Sequence, residues 1–402
     1  MLTVLKPSAP AWFPGKTVAT PGQMKVPDQS HNPPDAVSIL LSSLFAPGTA
    51  GRSVQLKWTL MTRRGRPLLL LPRSFRGACQ AMELYAAQRP LARIVRSVLP
   101  FVSQLLPGRL LPRVGIQSNT TSELLPFLSR EAGVVPEHLP PPAILWGNQT
   151  ADRQRFVVLV FNAQTRPVAV VKCGLTVEAR RIIEQEAAVL AALPEGLPGG
   201  LSLGRRLVTP TLSAFSAPYC PGQHPRNTDG MAEVLSAWLR PDETVPLQSL
   251  SGWETFAVTC REEKLFQALH QTMGRHLVRP AIHHGDFAPW NIRVNAGGDW
   301  TAVDWERGDL RGIPGWDWFH YVIQTAVLVE RIQGAELVAR IEAVLRSASF
   351  QKYARAANIA DICQPLLLAY LLHQNQIVKP GEGRDVSLAL RRQLAAQWGI
   401  AL

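Results

Sequence analysis

The chain has 402 residues, 46% hydrophobic and 18% charged, a balance that describes a globular protein long enough for two or three domains. No stretch approaches the roughly 20 uninterrupted apolar residues of a membrane span, because Ser97–Gly108 and Ile313–Val329 are broken by prolines or by Asp317 and His320. The net charge of +12 is concentrated between Arg52 and Arg113, where twelve Lys or Arg residues stand against one acid, Glu83, a bias that favours anionic partners.

Residues 1–37 are rich in proline, glycine and polar residues with no sustained period, and read as a disordered lead-in. Val54–Met61 and Leu68–Leu71 are strand-like runs around a turn at Gly65, a small hairpin. From Phe75 to Leu99 the period becomes helical. Arg89, Arg93 and Arg96 share one face there, and Leu91, Ile94, Val95 and Val98 share the other. A basic amphipathic helix can lie on an anionic membrane, although a solvated arginine face is the commoner outcome. One short helix is expected around Ser122–Ala132. Pro140, Pro141 and Pro142 stop regular structure and suggest a domain boundary near 140, which makes 38–140 a basic N-terminal module.

Beyond that boundary Ile144–Gly147, Arg155–Asn162 and Pro167–Cys173 read as three short strands. Thr176–Leu193 follows as a helix whose apolar side is Ile182, Ile183, Val189, Leu190 and Leu193. Glu186 lies four residues after Ile182 and four before Leu190, on or beside that stripe, so its carboxylate needs a partner. Lys172, at the end of the preceding strand, is the natural one, while Glu184 is expected in solvent. Leu201–Pro221 continues strand-like into Tyr219-Cys220-Pro221-Gly222, a turn between lobes. Helices follow at Asp229–Leu239, Trp253–Leu277, Trp316–Val329, Ala335–Arg346, Ile359–Gln374 and Asp385–Trp398. The organisation is a small β-rich lobe over 141–222 and a larger helical lobe over 223–402.

The chemistry concentrates in HHGDFAPWNIRVNAGGDWTAVDWE, His283 to Glu306. Asp286 and Asn291 are separated by four residues, and Asp304 follows thirteen positions after Asn291. Phosphoryl transfer depends on positioning and charge stabilisation, so it needs few groups in fixed places. Asp286 would orient the attacking hydroxyl. Asn291 and Asp304 would offer Mg²⁺ the hard oxygen ligands it prefers. Lys172 would hold the α/β-phosphates, Glu186 would hold Lys172, and His284 would brace the loop. Trp290, Trp300, Trp305, Trp316, Trp318, Phe319 and Tyr321 crowd the same stretch and could line an acceptor pocket, but burial in the lobe's core is the more ordinary fate of such residues.

HHGDFAPWNI followed by AVDWE resembles the catalytic and metal-binding loops of the aminoglycoside phosphotransferase/choline kinase family, small-molecule relatives of protein kinases. PVAVVKCG resembles the family's lysine strand, IEQEAAVLAAL its glutamate helix, YCPGQ its inter-lobe segment, and RGIPGWDW the segment whose Asp317 would brace the catalytic loop. The likeness covers about Ile144 to Gln374. It implies an α+β, bilobal protein-kinase-like fold, ATP (or GTP) and Mg²⁺ as cofactors, and a small-molecule hydroxyl as acceptor. Nucleotide contacts would include Tyr219 and Gly222, together with Gly147 and Asn148 in a phosphate loop that lacks Gly-x-Gly-x-x-Gly. Gly285 replaces the arginine of the protein-kinase HRD triplet, and Asp304-Trp305-Glu306 replaces DFG.

The acidic residues Glu330, Glu336, Glu342 and Asp361 of the helical lobe are interspersed with arginines. A neutral or anionic acceptor, such as a sugar or glycan precursor, therefore ranks above a cationic antibiotic. The rival reading is a catalytically weak or inactive nucleotide-binding regulator docked to a membrane or cell-envelope glycan assembly. Nucleic-acid binding through 52–113 ranks lower, and would show itself by a steep salt dependence. Five scattered cysteines without a CxxC, and an N-terminus without the layout of a secretion signal, point to a cytoplasmic protein, with the inner face of the membrane as a place where 52–113 could dock.

Overall fold

A computed structural model describes residues 33–45, 51–63, 65–84, 97–101, 112–146, 154–225, 228–377 and 384–400. The hairpin read from the sequence is β1 (Ser53–Arg63) and β2 (Arg66–Pro72), an antiparallel pair. β3 (Arg113–Asn119) flanks β1, and β4 (Ala143–Trp146) pairs with the free side of β2 through Leu69↔Leu145 and Leu70↔Ile144. β5 (Arg155–Phe161), β6 (Pro167–Gly174), β8 (Ser213–Pro218) and β7 (Arg206–Val208) complete one antiparallel eight-stranded sheet in the order β3-β1-β2-β4-β5-β6-β8-β7. The boundary expected near 140 thus falls inside a continuous sheet. Pro140–Pro142 form an extended approach to β4, and the Trp58 indole N–H donates to the Pro142 carbonyl (2.6 Å), tying the two sides together.

Side chains alternate across a strand, so each face of the sheet has its own cover. α1 (Pro33–Leu44) and α3 (Leu124–Ala132) bury Val37, Leu41, Leu44, Leu125 and Leu128 against Trp58, Phe156, Val158 and Val171 on one face. Residues 33–37, expected in a disordered lead-in, begin the first of these helices. On the opposite face α2 (Phe75–Ala81) and the tight turn Met82–Leu84 pack against Leu69, Leu71, Ala143, Leu159 and Val170. The helix expected from Phe75 to Leu99 is described only at Phe75–Ala81 and at 97–101. Its basic face, Arg89, Arg93 and Arg96, lies outside the described residues.

α4 (Val177–Ala192) starts where the Thr176 hydroxyl accepts the Ala179 N–H (3.2 Å), a serviceable N-cap. It lays Ile183, Ala187 and Leu190 into the main core and buries Glu186 with them. Glu184, expected in solvent, instead accepts a hydrogen bond from Ser213 (2.5 Å).

The helical lobe holds α5 (Asp229–Ala237), α6 (Ser251–Cys260), α7 (Lys264–Met273), α8 (Trp316–Gln324), α9 (Gly334–Arg346), α10 (Ala348–Ala356), α11 (Cys363–Ile377) and α12 (Arg384–Gln397). The single helix expected over Trp253–Leu277 is broken near 261–263, and α8 passes into a π-helical stretch, Thr325–Glu330. Trp300, Trp305, Trp316, Trp318, Phe319 and Tyr321 are all buried; only Trp290 is half-exposed, so the aromatic cluster is core. Short strands frame the remaining segment: β11 (Ala281–His283) pairs with β14 (Asp309–Gly312), and β12 (Ile292–Val294) with β13 (Trp300–Ala302). The α+β, bilobal arrangement expected from the sequence is the one observed. Among the described residues no helix is long and apolar enough to cross a membrane.

Candidate functional site

Lys172 stands on β6 and shares a sheet face with Val170, two residues away, and with Val157 and Leu159 opposite them on β5. Its ammonium contacts Glu186 Oε1 at 2.6 Å and Asp304 Oδ1 at 2.5 Å. Burial alone would lower the Lys172 pKa, but the two carboxylates outweigh it and hold the ammonium above the ordinary lysine value. The same contact pulls Asp304 down to about 2: burial pushes its carboxyl up, and the Lys172 charge and hydrogen bond win. Glu186 is buried more deeply, and desolvation raises its carboxyl against the pull of Lys172. Its second oxygen, Oε2, is buried without a partner among the described residues.

Asp304 has a left-handed backbone, φ 72°. That conformation costs a non-glycine residue on the order of 1–3 kcal/mol and survives only where surroundings enforce it. Two neighbours do so here. The Val303 N–H donates to the Asn291 carbonyl (2.8 Å), and the Trp305 N–H donates to Glu186 Oε1 (2.9 Å). Next to it, Arg155 at the start of β5 pairs with Glu306. This second cation in the lysine–carboxylate cluster was read from the sequence only as a strand residue.

Across the lobe junction the loop between β11 and β12 is held by Asp317 at the start of α8. One carboxylate oxygen accepts the His284 N–H (2.6 Å) and the other the Gly285 N–H (3.0 Å). Gly285 has φ 79°, and a Cβ there would lie 2.6 Å from both Cβ and O of Arg307. No arginine, or any side chain, could occupy this position without moving the strand-to-loop crossing. His284 is buried, and desolvation lowers its pKa despite three nearby aspartates. Its Nε2 lies 3.0 Å from the Val303 carbonyl, and its Nδ1 accepts the Asp286 N–H at 3.3 Å, so the ring links the two halves of the loop motif.

Asn291 donates its amide N–H to both the carbonyl (2.9 Å) and the Oδ2 (3.0 Å) of Asp286, leaving its amide oxygen for a cation. Asp286 Oδ1 lies 2.9 Å from His320 Nε2. Although burial pushes the Asp286 carboxyl up, His320, Arg307 and His284 together hold it below the usual carboxylate range. His320 was not singled out by sequence. It reads there as one polar residue in an apolar helix, and its only signal is that it follows Asp317 by three, on the same helical face.

The inter-lobe segment places Tyr219 and Gly222 at the lobe junction. The Tyr219 hydroxyl donates to Glu83, in the turn after α2. A Cβ on Gly222 would lie 2.4 Å from the Val294 carbonyl oxygen, because residues 222–223 pair closely with β12. Gly147 and Asn148 lie outside the described residues.

No family model matches the chain, and no curated protein does. Solved structures do. An apo thermostable mutant of aminoglycoside phosphotransferase APH(4)-Ia is 13% identical, over 64% of this chain and 95% of its own, with a TM-score of 0.42. A putative fructosamine-3-kinase from Haemophilus somnus is 13% identical, over 68% and 96%, at 0.42. A ternary complex of the first protein with ADP and hygromycin B is 12% identical, over 68% and 97%, at 0.43. The reading of the site rests on its own geometry.

Proposed function

We propose that this chain is a nucleotide- and Mg²⁺-dependent phosphotransferase that delivers the γ-phosphoryl group of ATP (or GTP) to a hydroxyl of a small molecule, sugar or glycan precursor. The observation that carries the reading is the convergence of Lys172 and Glu186, from the sheet-bearing lobe, with Asp304, Asp286 and Asn291 of the helical lobe, Asp304 being tied to Asn291 through the hydrogen bond from the neighbouring Val303. The donor set suits magnesium: an amide oxygen and a carboxylate, with the remaining positions filled by phosphate and water oxygens. Such an ion needs only one or two protein ligands. This accords with the absence, among the described residues, of any cluster of three or more His, Cys, Asp or Glu fit to hold a metal by itself. When bound, the ion would supply charge neutralisation between the phosphates.

In this mechanism Lys172, kept protonated by its carboxylates, exchanges Asp304 for phosphate oxygens. Glu186 stays behind to hold the ammonium in place. Asp286 would accept the hydrogen bond of the acceptor hydroxyl and point its oxygen at the γ-phosphorus, taking the proton as the new O–P bond forms and the bond to the β,γ-bridging oxygen breaks, the nucleoside diphosphate leaving with that oxygen. Arg307, exposed beside Gly285, makes no ion pair among the described residues and lies near enough to Asp286 to stabilise its charge. Two of the four acids noted in the helical lobe are held by arginines: Glu330 pairs with Arg340 (3.2 Å) and Glu342 with Arg346 (3.4 Å). This balance favours a neutral or anionic acceptor over a polycation.

Mg–ATP consumption and phosphate transfer, screened across a library of hydroxyl acceptors with wild type and Asp286→Ala, test the proposal. Turnover with at least one acceptor, lost in the variant, is expected. Intact Mg–ATP binding with no turnover on any acceptor would leave the second reading, a nucleotide-binding regulator. One observation favours that alternative: α2 and its following turn cover part of the sheet face that carries Val170 and Lys172, and clasp Tyr219 through Glu83. A regulator docked to an anionic membrane would use the same neighbourhood, where Phe75 and Phe101 are exposed in contact (ring centroids 4.7 Å) beside Arg73 and Arg76.

A further inference from the structure

Two side chains from separate helices line up behind Asp286. His320, on α8, sets Nε2 2.9 Å from Asp286 Oδ1 and Nδ1 2.9 Å from the hydroxyl of Tyr370, on α11. His320 is 4% exposed and Tyr370 2%, so neither can reach an acceptor in the cleft. The other Asp286 oxygen is shared with Asn291. One helix therefore controls the loop twice. Asp317 holds the backbone at His284 and Gly285, and His320, one turn later, holds the side chain at Asp286.

The chemistry of an imidazole fixes the direction of these bonds. A neutral ring carries one N–H and one acceptor nitrogen, and a carboxylate can only accept. The Asp286 carboxylate therefore takes its hydrogen bond from Nε2–H, and in a neutral ring Nδ1 is left to accept from the Tyr370 hydroxyl, which supports that tautomer. Burial and the charges of Asp286 and Asp317 keep the Tyr370 hydroxyl protonated, and it also bonds the Gln324 side chain. The result is a one-way chain, Tyr370 to His320 to Asp286.

We propose that His320 is a positioning residue for phosphoryl transfer: with its tautomer supported by Tyr370, it locks the Asp286 carboxylate in the rotamer that receives the acceptor hydroxyl. The proposal rests on the phosphotransferase reading, since only then does the aim of Asp286 matter. Misplacing a reacting group by about 1 Å can cost roughly 100-fold in rate, so a side chain that never touches substrate can still govern turnover.

Two measurements on the full chain test it. The first needs no substrate. In protein labelled with ¹⁵N-histidine, NMR should show His320 as the Nε2–H tautomer, and Tyr370→Phe should shift it toward a mixture of tautomers. An Nδ1–H ring in wild type would overturn the proposal. The second is kinetic. His320→Ala should lower kcat by about 10- to 100-fold with the nucleotide KM within about 2-fold. His320→Gln, whose amide N–H can reach the same oxygen, should recover at least about 5-fold of that loss. Equal kcat in wild type and the alanine variant would also overturn it. Should the alanine variant not fold, the glutamine and Tyr370→Phe variants carry the comparison, and wild-type kcat in both would be decisive against the proposal. A wild type in the Nε2–H tautomer that turns over no acceptor would mean that the hydrogen-bonded triad stands and the phosphotransferase reading fails.

Discussion

The backbone N–H of Trp305 and the ammonium of Lys172 share one acceptor, Oε1 of Glu186. The buried carboxylate therefore ties a strand of the sheet-bearing lobe to the backbone beside Asp304 in the helical one. The lysine–glutamate pair is at once an electrostatic element and a mechanical joint.

Lys172→Met removes the one ammonium hydrogen-bonded to Glu186 among the described residues and leaves the carboxylate buried. Breaking a buried pair in this way typically costs about 3–5 kcal/mol, whereas apolar replacement of both partners can be neutral or better. Chemical denaturation should accordingly place Lys172→Met well below wild type and the double variant Lys172→Met/Glu186→Leu between the two. Recovery should be incomplete, because the Trp305 N–H then loses its acceptor. A double variant no more stable than the single one would contradict this account of the joint.

Gly285→Ala must adopt φ near 79° and force its Cβ against Arg307. The left-handed backbone alone costs an L-residue roughly 1–2 kcal/mol, and the clash adds to it. The expected result is a lower Tm together with loss of nucleotide turnover, since Asp286 is the next residue. A variant with wild-type melting and turnover would show that the loop can move away freely.

Asp317→Ala leaves the N–H groups of His284 and Gly285 without their carboxylate acceptor. Each buried donor so orphaned costs about 1–3 kcal/mol. Asp317→Asn keeps one acceptor oxygen and should fall between wild type and alanine in thermal melts. Equal melting of the two variants would count against the two-oxygen clasp.

His373 is pushed down to about 4 by burial and by the charges of His283 and Arg307. An unfolded chain binds the same proton near the ordinary histidine value of about 6.5. Below that value the unfolded state takes up more protons than the folded one, so stability present above pH 6.5 is lost as the pH falls toward 4. His284 is lowered in the same direction. Unfolding midpoints measured across this window should slope less steeply in His373→Gln than in wild type, with the His284 share remaining. Parallel slopes would remove His373 from the account.

Much of the candidate site's arrangement was legible because its residues carry local signals. Lys172 lies near the end of an alternating strand, Glu186 interrupts an apolar helical stripe, and Asp286, Asn291 and Asp304 keep short separations within one stretch of sequence. What escaped depends on non-local packing. His320 and Tyr370 are separated by 50 residues, and each looks like an ordinary member of an apolar helix. The pairing of β2 with β4 spans the whole stretch from 72 to 143, and a proline triplet that breaks regular structure looks the same in sequence whether it ends a domain or leads into a strand. The aromatic crowd around the loop was ambiguous for a related reason. A tryptophan in a pocket and one in a core share composition, and burial alone separates them.

The union of β2 with β4 bears on how much of the chain is dispensable. A shortened chain beginning at 141 would keep every proposed contact residue, yet it would turn β4 into a raw border strand with open N–H and C=O groups, and it would uncover Leu159 and Phe161 where α2 had lain. Such borders recruit other chains by strand addition. The first strands and α2 thus cover apolar sheet surface that the motif-bearing segment alone would expose, and the smallest well-behaved form of this chain should begin close to Pro33 rather than at the first residue of its recognisable motifs.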